Sequence, residues 1–389
     1  MRVPARLTGG APVLVTTGAA GGVWRYALTL SAGLAERGQG VVLAVMGPAA
    51  TTAQVQAAQR PGVRVVQTGL PLDWAAPDPA ALAHASERLA ALAALTGAGT
   101  VHLHAPALVG AAAWPVPVVA VTHSCVATWW DAVRGGVPPV EIRWRIDATA
   151  AGLRRAQLVI APTVAHAADT VRLYGRLRIA VVHNGSVPAA VSAVREPSIL
   201  TAGRLWDEGK GVAWLDRAAP QAGVPVRAAG PVQEPVQEPV QEPVQEPVQK
   251  PVQKPVQGPV QGPVQGPVGG TASFAHVQLL GTLDPDTMAH AYAQASVFAS
   301  LPAYEPFGLA VLEAAQAGCA LVLRDIPSAR ELWDGAALFV NSEPGLLPAL
   351  HAALRYSGSL GAKAQIHAAR YTADAMVDGT LALHRALVS

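Results

Sequence analysis

A chain of 389 residues with 51% hydrophobic content is long enough to bury two ordinary cores, so two domains are expected. A formal net charge of +2 gives no case for nucleic acid as a partner. Every apolar run is broken by Gly, Pro or polar residues before it reaches the length of a membrane span, which excludes an integral helical membrane protein.

The N-terminal residues Met1 to Thr8 lack the hydrophobic region of a secretory signal and lead quickly to a first strand, Pro12 to Thr16. Cys125 and Cys319 sit in apolar surroundings without metal-ligand spacing, so both read as structural and the expected setting is the cytoplasm. A Gly-rich turn, Thr17 to Gly22, follows the first strand. Val23 to Arg37 then reads as an amphipathic helix with Tyr26, Leu30 and Leu34 on one face, and Val41 to Val45 as a second strand. This βαβ unit puts its glycines at the carboxyl end of a parallel strand, where such sheets bind ligands. The turn lacks the G-x-G-x-x-G spacing, and the second strand ends in Met46-Gly47 rather than an acidic residue for a ribose hydroxyl. A nicotinamide cofactor is therefore not expected.

The alternation continues. Val63 to Gln67, Thr100 to Leu103 and Val116 to Thr122 read as strands, with Pro79 to Leu95 a helix between the first two. His102 and His104 share a strand face and read as structural. His123 emerges where the third of these strands ends. Trp129, Trp130 and the segment Glu141 to Asp147 suit ordinary helix packing first, and an acceptor groove or peripheral contact with an inner membrane surface second. Gln157 to Ala161 and Ile179 to Val182 are strands around a helix from Val164 to Tyr174. Pro197 to Gly203 begins the second half and runs into Arg204 and Lys210, two cations close together at a strand end, which is what an anionic pyrophosphate needs.

From Pro231 to Gly266 the chain reads Pro-Val-Gln-x nine times, with x as Glu, then Lys, then Gly. Proline at every fourth position forbids helix and sheet ladders, so the array is expected to be an extended or disordered insertion with no part in catalysis. Beyond it, Ser296 to Ser300 reads as a buried strand, Phe307 to Ala317 as an almost wholly apolar helix, and Ala320 to Leu323 as another buried strand. The one charge in that helix is Glu313, about six residues in, or roughly 9 Å along the axis. Glu305 lies just before the helix. Gly308 and Leu309 fall at its N-terminus, where free amides and the helix dipole favour an anion. Two carboxylates flanking an anion site suit a ligand with hydroxyls at both ends and phosphate between, the layout of a nucleotide diphosphate-sugar.

The run Glu305-Pro-Phe-Gly-Leu-Ala-Val-Leu-Glu313 resembles the E-x7-E motif of the retaining glycosyltransferases of family 4. Gly21-Gly22-Val23 is similar to the G-G-V turn of that family, and the stretch from Gly203 to Gly211 is similar to its G-R-x-x-x-E-K-G pattern, with Gly209 as one residue too many before Lys210. The resemblance implies an α/β fold of two Rossmann-like domains facing across a cleft (GT-B). Residues 1–190 would form the acceptor-side domain and 191–230 with 269–370 the donor domain. The 231–268 repeat would be inserted in the donor domain, and the last helix, 371–389, would return to the first domain.

By the same resemblance, Glu305 and His123 would face the donor sugar and Glu313 the nucleotide ribose. Gly21, Gly22, Arg204, Lys210, Gly308 and Leu309 would surround the donor phosphates. The implied activity is metal-independent glycosyl transfer from a nucleotide-sugar to an unidentified acceptor, with no cofactor and no metal residue. Glu331 would orient backbone rather than substrate. An epimerase of the same architecture, a phosphorylase-like enzyme and a scaffold built on the repeat are the competing readings.

Overall fold

The computed structural model describes residues 10–189, 193–233 and 271–388. The expectations for residues 1–8 and for nearly all of the Pro-Val-Gln-x array fall outside them. Thirteen strands among the described residues form two wholly parallel sheets. The first comprises β1 (Val13–Gly18), β2 (Val41–Met46), β3 (Val63–Gln67), β4 (Thr100–Leu103), β5 (Val118–Val121), β6 (Leu158–Ala161) and β7 (Ile179–Val181), in the order 3-2-1-4-5-6-7. The second comprises β8 (Glu196–Ala202), β9 (Val226–Ala229), β10 (Gln278–Gly281), β11 (Ala295–Ser300), β12 (Ala320–Arg324) and β13 (Leu338–Val340), in the order 10-9-8-11-12-13. The two-domain α/β architecture expected from the sequence is the one found.

Continuous apolar runs such as Val41–Met46 and Ala320–Arg324 make sense in this setting, because helices cover both faces of each sheet and leave no side for polar residues. Leu14, Val42 and Leu103 pack on one face of the first sheet, while Val13, Val15 and Leu43 pack on the other beneath the Gly21–Glu36 helix. The last helix, Ala373–Val388, lies against that same helix. Met376, Val377 and Leu381 enter the core beside Leu30 and Leu34, and Gly33 lets the two helices close, since a Cβ there would stand 2.6 Å from Val377 Cγ2.

Parallel order reverses direction at one place in each sheet, between β1 and β4 and between β8 and β11. Strand connections leave in opposite directions at such a point and open a crevice at the carboxyl ends. The glycine turn follows β1 and His104 follows β4. Arg204 follows β8 and Glu305 follows β11. Both crevices therefore carry the residues singled out from the sequence.

The array enters and leaves the fold at one spot. Gln233 and Thr271 form an antiparallel bridge, and the Ala272 amide donates to the Val232 carbonyl at 2.8 Å. Among the described residues no helix is long and apolar enough to cross a membrane.

Candidate functional site

The helix of the E-x7-E segment spans Leu309–Gln316, shorter than the expected Phe307 to Ala317. Gly308 holds φ at 84°, a left-handed conformation that stops the helix from extending backward, and the Phe307 ring turns into the core instead. Among the described residues the amides of Gly308, Leu309 and Ala310 find no acceptor, so three donors point out of the helix start. Gly22 lies close to this end: a Cβ on it would lie 3.7 Å from Leu309 Cδ1. Gly21, with φ at 71°, makes the turn that brings it there.

Each motif carboxylate meets a cation. Lys210 Nζ donates to Glu305 Oε2 at 2.7 Å, and the pair is about three-quarters buried. Burial acts to raise the Glu305 carboxyl, but the Lys210 ammonium, helped by Arg204, prevails and holds it below the usual range. Glu313 is paired across the cleft, with Arg25 Nη1 of the first helix at 2.5 and 2.6 Å from its two oxygens. Arg204 Nη2 bonds Asp207 at 3.0 Å but keeps its side chain 57% exposed, with donors to spare.

The additional residue at Gly209 does not displace Lys210. Asp207, only 4% exposed, accepts from the Gly209 amide at 2.9 Å, and the Gly209 carbonyl accepts from the Ala303 amide at 2.8 Å. These bonds tighten residues 208–210 into a short 3-10 turn and leave Lys210 aimed at Glu305. The turn leans on the first domain. Trp129 Nε1 donates to Asp207 at 3.3 Å, and a Cβ on Gly209 would lie 2.9 Å from that nitrogen. Trp129 is thus a packing residue, as expected first, but it packs between domains.

The first-domain face is made of neutral rings. His123 Nε2 lies 2.8 Å from His104 Nδ1, and the Tyr26 ring stands edge-on to both. Burial, with repulsion from His166, drops the His123 pKa to about 3. His104, read as structural, lies beside His123: β4 ends at Leu103, and the next side chain reaches the end of β5. His102 keeps a structural place, bonded to His384 of the last helix at 2.9 Å.

Further bonds tie the site together. Thr163 Oγ1 donates to the Pro306 carbonyl at 2.9 Å, and Thr128 shares a 2.6 Å bond with Tyr304. Glu331 accepts from the amides of Val164 and Ala165 at 2.8 Å each. It orients backbone, as read from the sequence, but that backbone belongs to the opposite domain and is itself a helix N-terminus.

Two family models match the chain. One described as Glycosyltransferase Family 4 covers residues 20–188, and one described as Glycosyl transferases group 1 covers residues 274–339. The protein is a GT-B glycosyltransferase. Its fold is similar to that of a sucrose-phosphate synthase from Thermosynechococcus elongatus, with 17% identity, a TM-score of 0.71, and 97% of this chain and 99% of that one covered. It is also similar to a glycosyltransferase from Rickettsia africae, at 12% identity and a TM-score of 0.63, over 97% and 99% of the two chains. HepE of Anabaena, solved with UDP and glucose, matches at 14% identity and a TM-score of 0.65, over 97% and 100%. No curated protein matches the sequence.

Arg204 and Lys210 lie outside both matched stretches. Their place in this transferase rests on the geometry above. Sequence reasoning did not single out Arg25 or Asp207, and it named His104 without its bond to His123. Arg25 sits one helical turn after the glycines, a spacing that could have drawn attention to it. Nothing local marks Asp207 as a buried anchor.

Proposed function

We propose that this enzyme is a retaining, metal-independent glycosyltransferase of the family 4 type, and that it uses a nucleotide diphosphate-sugar donor. One observation carries the reading: the glycine turn of one domain meets the open helix start of the other at Gly22 and Leu309, with Lys210–Glu305 and Arg25–Glu313 beside it. The helix-start amides, Arg204 and Lys210 form a cationic bed for a pyrophosphate. The neighbour HepE, solved with UDP and with UDP-glucose, supports a nucleotide-sugar in this cleft.

In this reading the bond between the sugar C1 and the diphosphate oxygen breaks, and the nucleoside diphosphate leaves into that bed. Positive groups placed where charge grows favour the departing anion more than the intact donor, which lowers the barrier. An acceptor hydroxyl forms the new bond to C1 on the same face, and its proton passes to the departing phosphate oxygen. Glu305 and His123 hold the sugar and Glu313, once released by Arg25, the ribose. With Arg204 and Lys210 beside the phosphates, side chains and helix-start amides supply the charge a divalent ion would otherwise carry. Both carboxylates are occupied in binding, so a two-carboxylate hydrolytic scheme does not fit.

The test is a panel of nucleotide-sugars, with and without EDTA. It reads thermal stabilisation first, then glycosylated product and its anomeric configuration by mass spectrometry and NMR. One nucleotide-sugar should raise the melting temperature and yield product of unchanged configuration in EDTA. Inversion of configuration, or turnover only with added divalent ion, would refute the corresponding part of the proposal. An altered sugar formed from donor alone would favour the epimerase reading.

A further inference from the structure

The contact between His104 and His123 has a chemical consequence for the sugar-facing side of the cleft. The two rings meet edge to edge, their planes 22° apart, with His104 Nδ1 and His123 Nε2 at 2.8 Å. Burial holds both imidazoles neutral at pH 7. A bond between two neutral rings contains one proton, and its owner decides what each far nitrogen carries.

If His123 donated, His104 would have to bear its own proton on Nε2. That atom is buried and has no partner among the described residues. Orphaned buried N–H groups are among the rarest defects in folded proteins. If His104 donates instead, its buried Nε2 is a bare lone pair, and the proton of His123 must sit on Nδ1. His123 is partly exposed, and its Nδ1 is bonded to no described residue.

The geometry points to His104 as a positioning residue that fixes His123 in its Nδ1–H tautomer, so that His123 offers a hydrogen-bond donor to the cleft. A donor at this place selects an oxygen acceptor on the ligand, such as a sugar hydroxyl or ring oxygen. This deepens the transferase reading and rests on it for the identity of that ligand. The tautomer itself does not. Two further contacts support a fixed ring: Tyr26 packs edge-on against His123 at 4.7 Å between centroids, and the His104 amide donates to Thr16 Oγ1 at 3.2 Å.

Two-bond proton–nitrogen correlation spectra of the full chain, labelled with nitrogen-15 at histidine and recorded near pH 7, read the tautomers directly. Loss of one signal in His123→Gln and of another in His104→Asn assigns the pair. The expected result is His123 with its proton on Nδ1. In His104→Asp, whose carboxylate only accepts, the proton should move to Nε2 of His123. His104→Asn, whose amide can donate from the place of Nδ1, should preserve the original pattern. A wild-type His123 protonated on Nε2, or on both nitrogens, overturns the inference even if the protein transfers sugar. Absence of transfer with every nucleotide-sugar would defeat the functional reading and leave the tautomer result standing.

Discussion

The two faces of the cleft are built from opposite materials. The second domain presents charge: Arg204 with Asp207, Lys210 with Glu305, and Glu313 reaching across to Arg25. The first domain presents, besides that one arginine, the His123 ring, held neutral by burial and backed by His104 and Tyr26. Charges in partly buried pairs act strongly on a developing anion, whereas neutral donors orient a hydroxylated ring without competing for phosphate. On the proposed function, the second face chiefly stabilises the leaving group, while His123 of the first joins Glu305 in holding the sugar.

The strongest way to break that comparison is to remove charge from the second face. Arg204→Ala deletes a mostly exposed side chain whose one hydrogen bond among the described residues is to Asp207, which keeps the Gly209 amide and Trp129 as partners, so the melting temperature should change little. Turnover should fall by about 10²- to 10³-fold, the usual cost of losing one donor to a developing anion. Equal losses in folding and turnover would instead make Arg204 a structural residue. The reading is checked by steady-state kinetics beside thermal unfolding of the same preparation.

Acid probes the buried rings behind the first face. His166 and His384 are buried with pKa values pushed down to about 4, below the ordinary value of 6.5. Between those limits the unfolded chain binds protons that the folded chain refuses, so stability is fully present above about pH 6.5 and is lost as pH falls toward 4. Each such histidine contributes a slope of about 1.4 kcal/mol per pH unit in that window. The urea midpoint should therefore drop steeply from pH 7 to pH 5. A midpoint flat over that range would show that these rings are not held neutral.

The seam between the faces is where a single methyl group should tell. In Gly209→Ala the new Cβ would meet Trp129 Nε1 at 2.9 Å, Asp207 Oδ1 at 3.0 Å and Val133 Cγ2 at 3.1 Å. Relief requires Trp129 or the turn to shift, at about 1–3 kcal/mol. Lys210 lies next in the chain, so donor affinity should weaken by roughly tenfold, within the same energy range. Tryptophan fluorescence and donor KM should change together; a change in neither would mean that the turn does not depend on its neighbour.

How legible was this in the sequence? Strands such as Val41–Met46 and the turn at Gly21 and Gly22 were plain, because apolar runs and glycines are local signals. The Thr52–Ala58 helix was not read: it is short, polar and nearly uncovered, so it has no apolar stripe. The start of the site helix was misplaced by two residues because Gly308 takes a conformation that only its surroundings select. Arg25 and Glu313 lie 288 positions apart, and no periodicity links such residues. Motif spacing found Glu313 without Arg25, and both Glu305 and Lys210 without the bond between them. Only the folded cleft supplied the other.

The smallest effect is expected far from both faces in chemistry, though close in the chain. Gln233 and Thr271 are bridged, and Leu205 donates its amide to the Pro231 carbonyl at 2.9 Å, so both ends of the array are fastened beside the donor crevice. Replacing residues 234–270 with Asn-Gly would close an antiparallel hairpin between positions that already face each other, a turn such sequences favour. A shorter closure also reduces the entropy cost of joining the ends, though only by about 0.6 kcal/mol per halving of length. Melting temperature and turnover should consequently stay near those of the full chain. If the shortened enzyme folds normally yet loses transfer, the array takes part in catalysis or acceptor capture, and the two faces alone are not sufficient.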